Sequence, residues 1–254
     1  MSAVSPLQTL PQEIKVLIVN CLQPNVILNL FLTHRSWHAV TKDPNFWGNW
    51  LRSGYGVIDR TFWAPYAEAY KLDAADTFPL GQREASVAWL MSQRAEGGKA
   101  ALVTIPAGLT YPKLRALAEE QHISIDGLLD ETVPAQLAKW AGTDPVKKTY
   151  RVAITSSPLI GSRRDYLNEP LNITSRMRPG DRLPVLIEAV VLTFAKCMDP
   201  EVKRSSTYMY CFESPDPYRV IVGGIFSRGF IVDTSWSIDG EDVTQAGVAA
   251  AREI

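Results

Sequence analysis

Three histidines, His34, His38 and His122, and three cysteines, Cys21, Cys197 and Cys211, are the first residues to ask for chemistry. A thiol nucleophile needs a base within hydrogen-bond reach. Cys211 with His122 is the pairing to weigh, but nothing in the spacing joins them, and a thiol in Tyr208-Met209-Tyr210-Cys211-Phe212 reads as a buried strand residue. His34 and His38 are four apart and could share a metal on one helix face, yet the zincin glutamate and a third ligand are missing, so no metal is expected. Serine chemistry has no G-x-S-x-G elbow to work with. Gly161-Ser162-Arg163-Arg164 reads instead as a loop with a basic point. There Arg163 and Arg164 could grip an acidic or phosphorylated target through paired N–H bonds, against the plainer reading of a solvated turn. Gly97-Gly98-Lys99 lacks the rest of a phosphate loop and reads as a helix stop, and Gly223-Gly224 as strand glycines at a bulge or close approach. No catalytic residue and no cofactor is assigned. The chain is expected not to be an enzyme, with a catalytic carboxy-terminal domain as the alternative.

The element with most to explain is the stretch Leu10–Leu51, dense in apolar residues and nearly free of glycine. Pro11 suits the first turn of a helix, where its missing N–H would be unpaired anyway, and Glu13 places a carboxylate at that helix's positive end. Ile14, Leu17, Ile18, Cys21 and Leu22 recur at intervals of three and four, which makes one wide apolar stripe that Pro24-Asn25 closes. A second helix follows from Val26, with Trp37 and Val40 continuing its pattern, and Asp43-Pro44 opens a third before Phe46, Trp47, Trp50 and Leu51. So short a unit cannot enclose so many large side chains, so a partner or the rest of the chain must cover them.

Leu10-Pro11-x-Glu13-Ile14, Ile18, Leu22, Leu28, Leu30, Arg35-x-Trp37, Val40, Asp43-Pro44 and Phe46-Trp47 resemble an F-box in order and spacing. The resemblance implies a three-helix module that docks on the Skp adaptor and through it on a cullin-RING ubiquitin ligase. It assigns Leu10, Pro11, Ile14, Ile18, Leu22, Leu28 and Trp37 to forming or supporting the adaptor face, and leaves the rest of the chain to bind a protein substrate of unknown identity.

The 254 residues allow a small module with a medium domain, and 46% hydrophobic content is that of a folded chain. With 26 basic against 27 acidic residues the net charge is −1, so no global field favours nucleic acid and no polybasic cluster suggests a membrane surface. The three cysteines are odd in number and widely spaced, as expected of free thiols in a reducing compartment. The first ten residues have neither the basic start nor the apolar run of a signal peptide. Leu183–Met198 is greasy but too short to span a bilayer, and Glu188 and Lys196 interrupt it.

Residues 1–56 are read as the F-box, 57–145 as a mainly helical connecting region and 146–254 as an α+β substrate-binding domain. Helices are expected at Phe62–Leu72, Arg83–Ala95, Tyr111–Gln121 and Val133–Trp140, with one short strand at Ala101–Ile105. Further on, strands are expected at Tyr150–Thr155 and Thr207–Phe212, a buried helix at Leu183–Cys197, a hairpin from Tyr218–Ile225 and Gly229–Asp233, and a last strand at Gly247–Arg252. The fold class is α+β, with one helix packed on a carboxy-terminal antiparallel sheet.

Thr155 with Ser162-Arg163, Thr207-Tyr208-x-x-Cys211, Val222-Gly223-Gly224-x-Phe226-x-x-Gly229-Phe230-x-Val232 and Gly247-Val248-Ala249 with Arg252 resemble a carboxy-terminal domain found behind F-boxes in bacteria related to chlamydiae. That resemblance implies an effector, similar to those of Legionella, secreted by a bacterium into a host cytoplasm to borrow the ubiquitin machinery there.

Overall fold

The computed structural model describes residues 10–20, 30, 37, 40, 56–74, 88–90, 92, 100–126, 144–155, 159, 177–198, 205–211, 220–226, 229–234 and 246–254. Its elements run α1 (Gln12–Asn20), β1 (Gly56–Ile58), α2 (Arg60–Trp63), β2 (Ala100–Ile105), α3 (Tyr111–Glu120), β3 (Ser124–Asp126), β4 (Tyr150–Thr155), α4 (Leu186–Met198), β5 (Ser205–Cys211), β6 (Val220–Phe226), β7 (Gly229–Thr234), β8 (Ala246–Val248) and β9 (Ala251–Glu253). Helix and sheet are mixed, as the α+β expectation has it. Of the expected second F-box helix only Leu30, Trp37 and Val40 are described, and the third helix and Val133–Trp140 lie outside the described residues.

Where one sheet was expected there are two. The first has the order β1-β2-β4-β9 and the second β3-β7-β6-β5-β8. Most pairings are antiparallel, but β1 with β2, β3 with β7 and β5 with β8 are parallel. The middle of the chain is therefore not simply helical: it supplies β1, β2 and β3, and β2 pairs with β4 across residue 146. A strand of three residues such as β1 or β3 is too short to show a period of its own and exists because a longer neighbour templates it. The expected strand at Gly247–Arg252 is two: β8 joins the second sheet, the chain crosses at Ala249-Ala250, and β9 joins the first.

α4 lies between the sheets. Every residue from Leu186 to Phe194 is buried, and the helix shares one core with Ala101, Val103, Ile105, Val152 and Ile154 of the first sheet and Val222, Phe230 and Val232 of the second. A helix that is apolar all round needs cover on all sides, and two sheets provide it. Gly223 in β6 has φ 151°, a backbone region side chains rarely adopt, and it sits where the β6–β7 register shifts before Phe226.

Local signals fix the ends of the helices that carry this frame. Asp59 Oδ1 accepts from the N–H of Thr61 at 2.8 Å to open α2, and Thr110 Oγ1 accepts from the N–H of Lys113 at 3.2 Å to open α3 ahead of Pro112. Leu114, Leu117 and Ala118 then turn one face of α3 into the core.

Both faces of the first sheet are buried, and the pleat sorts its residues. Ala101, Val103, Ile105, Val152, Ile154 and Ala251 face the α4 side. Ala100, Leu102, Ala153 and Ala250 face the opposite side, into a second cluster with Val19, Trp37, Val40, Trp89 and Leu90. Val19, Trp37 and Val40 of the amino-terminal stretch, with Trp89 and Leu90, thus cover the sheet's other face.

Candidate functional site

α1 carries its side chains in an inverted order. Lys15 is buried at 7% exposure and Val19 is fully buried, whereas Ile14 and Leu17 are exposed at 42% and 61%. On a helix of 3.6 residues per turn, residues 15 and 19 lie on one face and 14 and 17 on a neighbouring one, with 18 between them. Ile18 is half-buried and packs against the second cluster. The lysine's ammonium lies 5.9 Å from the centroid of the Trp37 ring, a cation–π contact that offsets part of the cost of taking the charge out of water.

Leu10 is half-buried ahead of the helix, Pro11 is exposed, and the Pro11 carbonyl accepts the N–H of Lys15 at 3.1 Å to close the first turn. Trp37 is almost wholly buried on the side of the sheet. Leu22, Leu28, Arg163 and Arg164 lie outside the described residues. Leu17, the most exposed large apolar side chain among the described residues, was in the apolar stripe of the sequence but not among the residues assigned to the adaptor face.

The seat under this segment is held by polar contacts. Trp89 Nε1–H donates to Asp181 Oδ1 at 2.8 Å, Arg252 Nε donates to the same oxygen at 2.8 Å, and the Arg252 guanidinium lies 5.5 Å from the Trp89 ring centroid. Arg252 is on β9, so the indole is tied directly to the first sheet. Arg178 Nη1 donates to Ser92 Oγ, and Ser92 Oγ–H donates to the Trp89 carbonyl, which braces the same join a second time.

Residues 7–51 match the F-box-like family. The F-box-like segment thus contains both the exposed pair Ile14 and Leu17 and the buried residues Val19, Trp37 and Val40. Comparison of the chain with curated proteins and with solved structures returns no match.

A second cluster of functional groups lies at the start of α4. Arg182 grips the fully buried Glu188 with two parallel bonds, Nη1 to Oε2 at 2.8 Å and Nη2 to Oε1 at 2.6 Å, and the N–H of Val185 donates to Oε2 at 2.9 Å. The last of these is the return half of a capping box, with Glu188 three residues into the helix and at its positive end. Burial, then the charge of and hydrogen bond to Glu188, push the Tyr150 hydroxyl well above its ordinary value. With Lys148, Val185 and Glu253 these three line an open cleft of about 410 Å³. Capping and charge pairing account for each of the buried groups in it.

Cys197 is half-buried at the end of α4, and burial pushes it up to about 11. Cys211 is buried in β5, while His122 is exposed in the turn after α3 with φ 57°. Among the described residues no group of three His, Cys, Asp or Glu could hold a metal, and no helix is long and apolar enough to cross a membrane.

Proposed function

We propose that this chain is a substrate receptor of a Skp-cullin-F-box ubiquitin ligase, binding the Skp adaptor through the outer face of α1 and presenting a protein held by the rest of the chain. The observation that carries the reading is the inversion on α1, inside the F-box-like match: a helix that buries its lysine and shows solvent an isoleucine and a leucine. Leu10, Pro11 and Ile18, at the start of the helix and at its margin, complete the face, and Trp37 supports it from below. The receptor does no chemistry of its own. Action inside a host cytosol, as an effector secreted by a bacterium, belongs to the same proposal and rests on the carboxy-terminal resemblance.

A second reading has one observation in its favour. Val19, Trp37 and Val40 already pack into the chain's own core, as they would if the helices served only as cover. Ile14→Asp with Leu17→Asp separates the two. The receptor reading expects adaptor binding to fall by about a hundredfold or more, since both anchors are lost, at an unchanged melting temperature. Undiminished binding by the double variant, or no binding by the parent chain, overturns it.

A further inference from the structure

We infer that the outer face of the first sheet, and in particular the facing pair Leu102 and Ala153, positions α1 for recruitment. The inference rests on the reading that α1 meets the adaptor. Leu102 and Ala153 are direct cross-strand partners in the antiparallel β2–β4 pairing, and both point into the cluster that holds Val19 and Trp37. All four are buried, Val19 and Ala153 with no accessible surface at all.

The seat cannot retreat. On its other side Val103 and Val152 pack toward α4, which is itself sealed between two sheets, and interiors at that density pass a displacement on instead of absorbing it. The indoles above it have limited play as well, since Trp89 is tied to Asp181 and β9 while Trp37 lies under Lys15 of α1. A side chain enlarged at residue 153 must therefore press on the cluster it faces, and that cluster includes Val19, the buried edge of the helix whose other edge carries Ile14 and Leu17. Leu102 and Ala153 touch no adaptor on this account: they are positioning residues acting through Val19, Trp37 and Lys15.

The test uses the full chain and two variants. Ala153→Leu adds bulk under the segment, and the exchange Leu102→Ala with Ala153→Leu restores the total volume of the facing pair. Isothermal titration with purified Skp adaptor is expected to show affinity down about tenfold in the single variant and back to within about threefold of the parent in the exchange. Amide exchange in the free chain is expected to quicken in Gln12–Asn20 in the single variant, with α4 still protected. Parent-like affinity and unchanged exchange in α1 for Ala153→Leu would overturn the inference, as would an exchange variant no better than the single one. Should Ala153→Leu fail to fold, Ala153→Val carries the same expectations at smaller amplitude. A parent chain that does not bind the adaptor defeats the receptor reading. The exchange measurement still decides whether the sheet holds α1.

Discussion

α1 and α4 are both rich in aliphatic residues, yet one hides everything as far as Phe194 and the other hides the wrong things. α4 buries each residue from Leu186 to Phe194, its acid Glu188 included, and neutralises that acid with a two-pronged arginine. α1 buries Lys15 and leaves Leu17 at 61% exposure. The difference lies in the number of neighbours. α4 has a sheet on either side, so no direction around its axis reaches water. α1 joins the cluster over the first sheet through Val19, with Ile18 packed against it, while Ile14 and Leu17 of its apolar stripe stay exposed. A stripe left exposed after folding is open to a partner, whereas one consumed by folding serves only the core.

The sharpest way to break this comparison is through the sealed helix. Phe194→Ala should cost about 3–5 kcal/mol of stability, the usual price of emptying a fully buried aromatic site, read from urea unfolding; a loss under about 1 kcal/mol would mean that α4 is not sealed.

A smaller effect is expected at the helix's capped end. Tyr150 has an ordinary value of 10.0 that the fold raises, so the unfolded chain loses this proton first as pH increases. The stability it contributes is whole below pH 10.0 and declines above it, toward the raised folded value, by up to about 1.4 kcal/mol per pH unit. Unfolding of the parent and of Tyr150→Phe between pH 9 and pH 11 should show the steeper alkaline loss in the parent, and parallel curves would remove Tyr150 from the account.

The smallest effect belongs to the open helix. Leu17→Ser should change stability by no more than about 0.5 kcal/mol, because the side chain is already in water, and a large drop in the same urea titration would place Leu17 inside the fold.

Much of the frame was legible. Alternation and β-branched residues marked β2, β4 and the β6–β7 hairpin within a few residues of their ends. Pro112, at the start of α3, marked where that helix opens. The run from Leu183 onward announced α4 as a buried helix. The contacts that assemble the frame were not. Trp89 and Asp181, 92 residues apart, share no period, and neither Arg182 nor Glu188 carries a mark that names its partner. The sequence does not separate the two sheets, because a strand's own residues say that it has a neighbour but not which. The site divides the same way: spacing placed Ile14, Leu17 and Ile18 on a common stripe, and only packing revealed that Leu17 stands furthest out.

The amino-acid sequence alone determined the longer elements, β2, α3, β4, α4 and the β6–β7 hairpin, that the first fifty residues carry more apolar surface than they can enclose, and that they follow an F-box pattern. Tertiary structure alone decided that Lys15 goes in and Leu17 stays out, that Leu102 faces Ala153, and that α4 is covered from Leu186 to Phe194 while α1 leaves Ile14 and Leu17 exposed. The physical reason is one of range. Backbone preference and hydrophobic period act over a few neighbouring residues, whereas burial is a property of two surfaces, and the second surface is supplied from far along the chain.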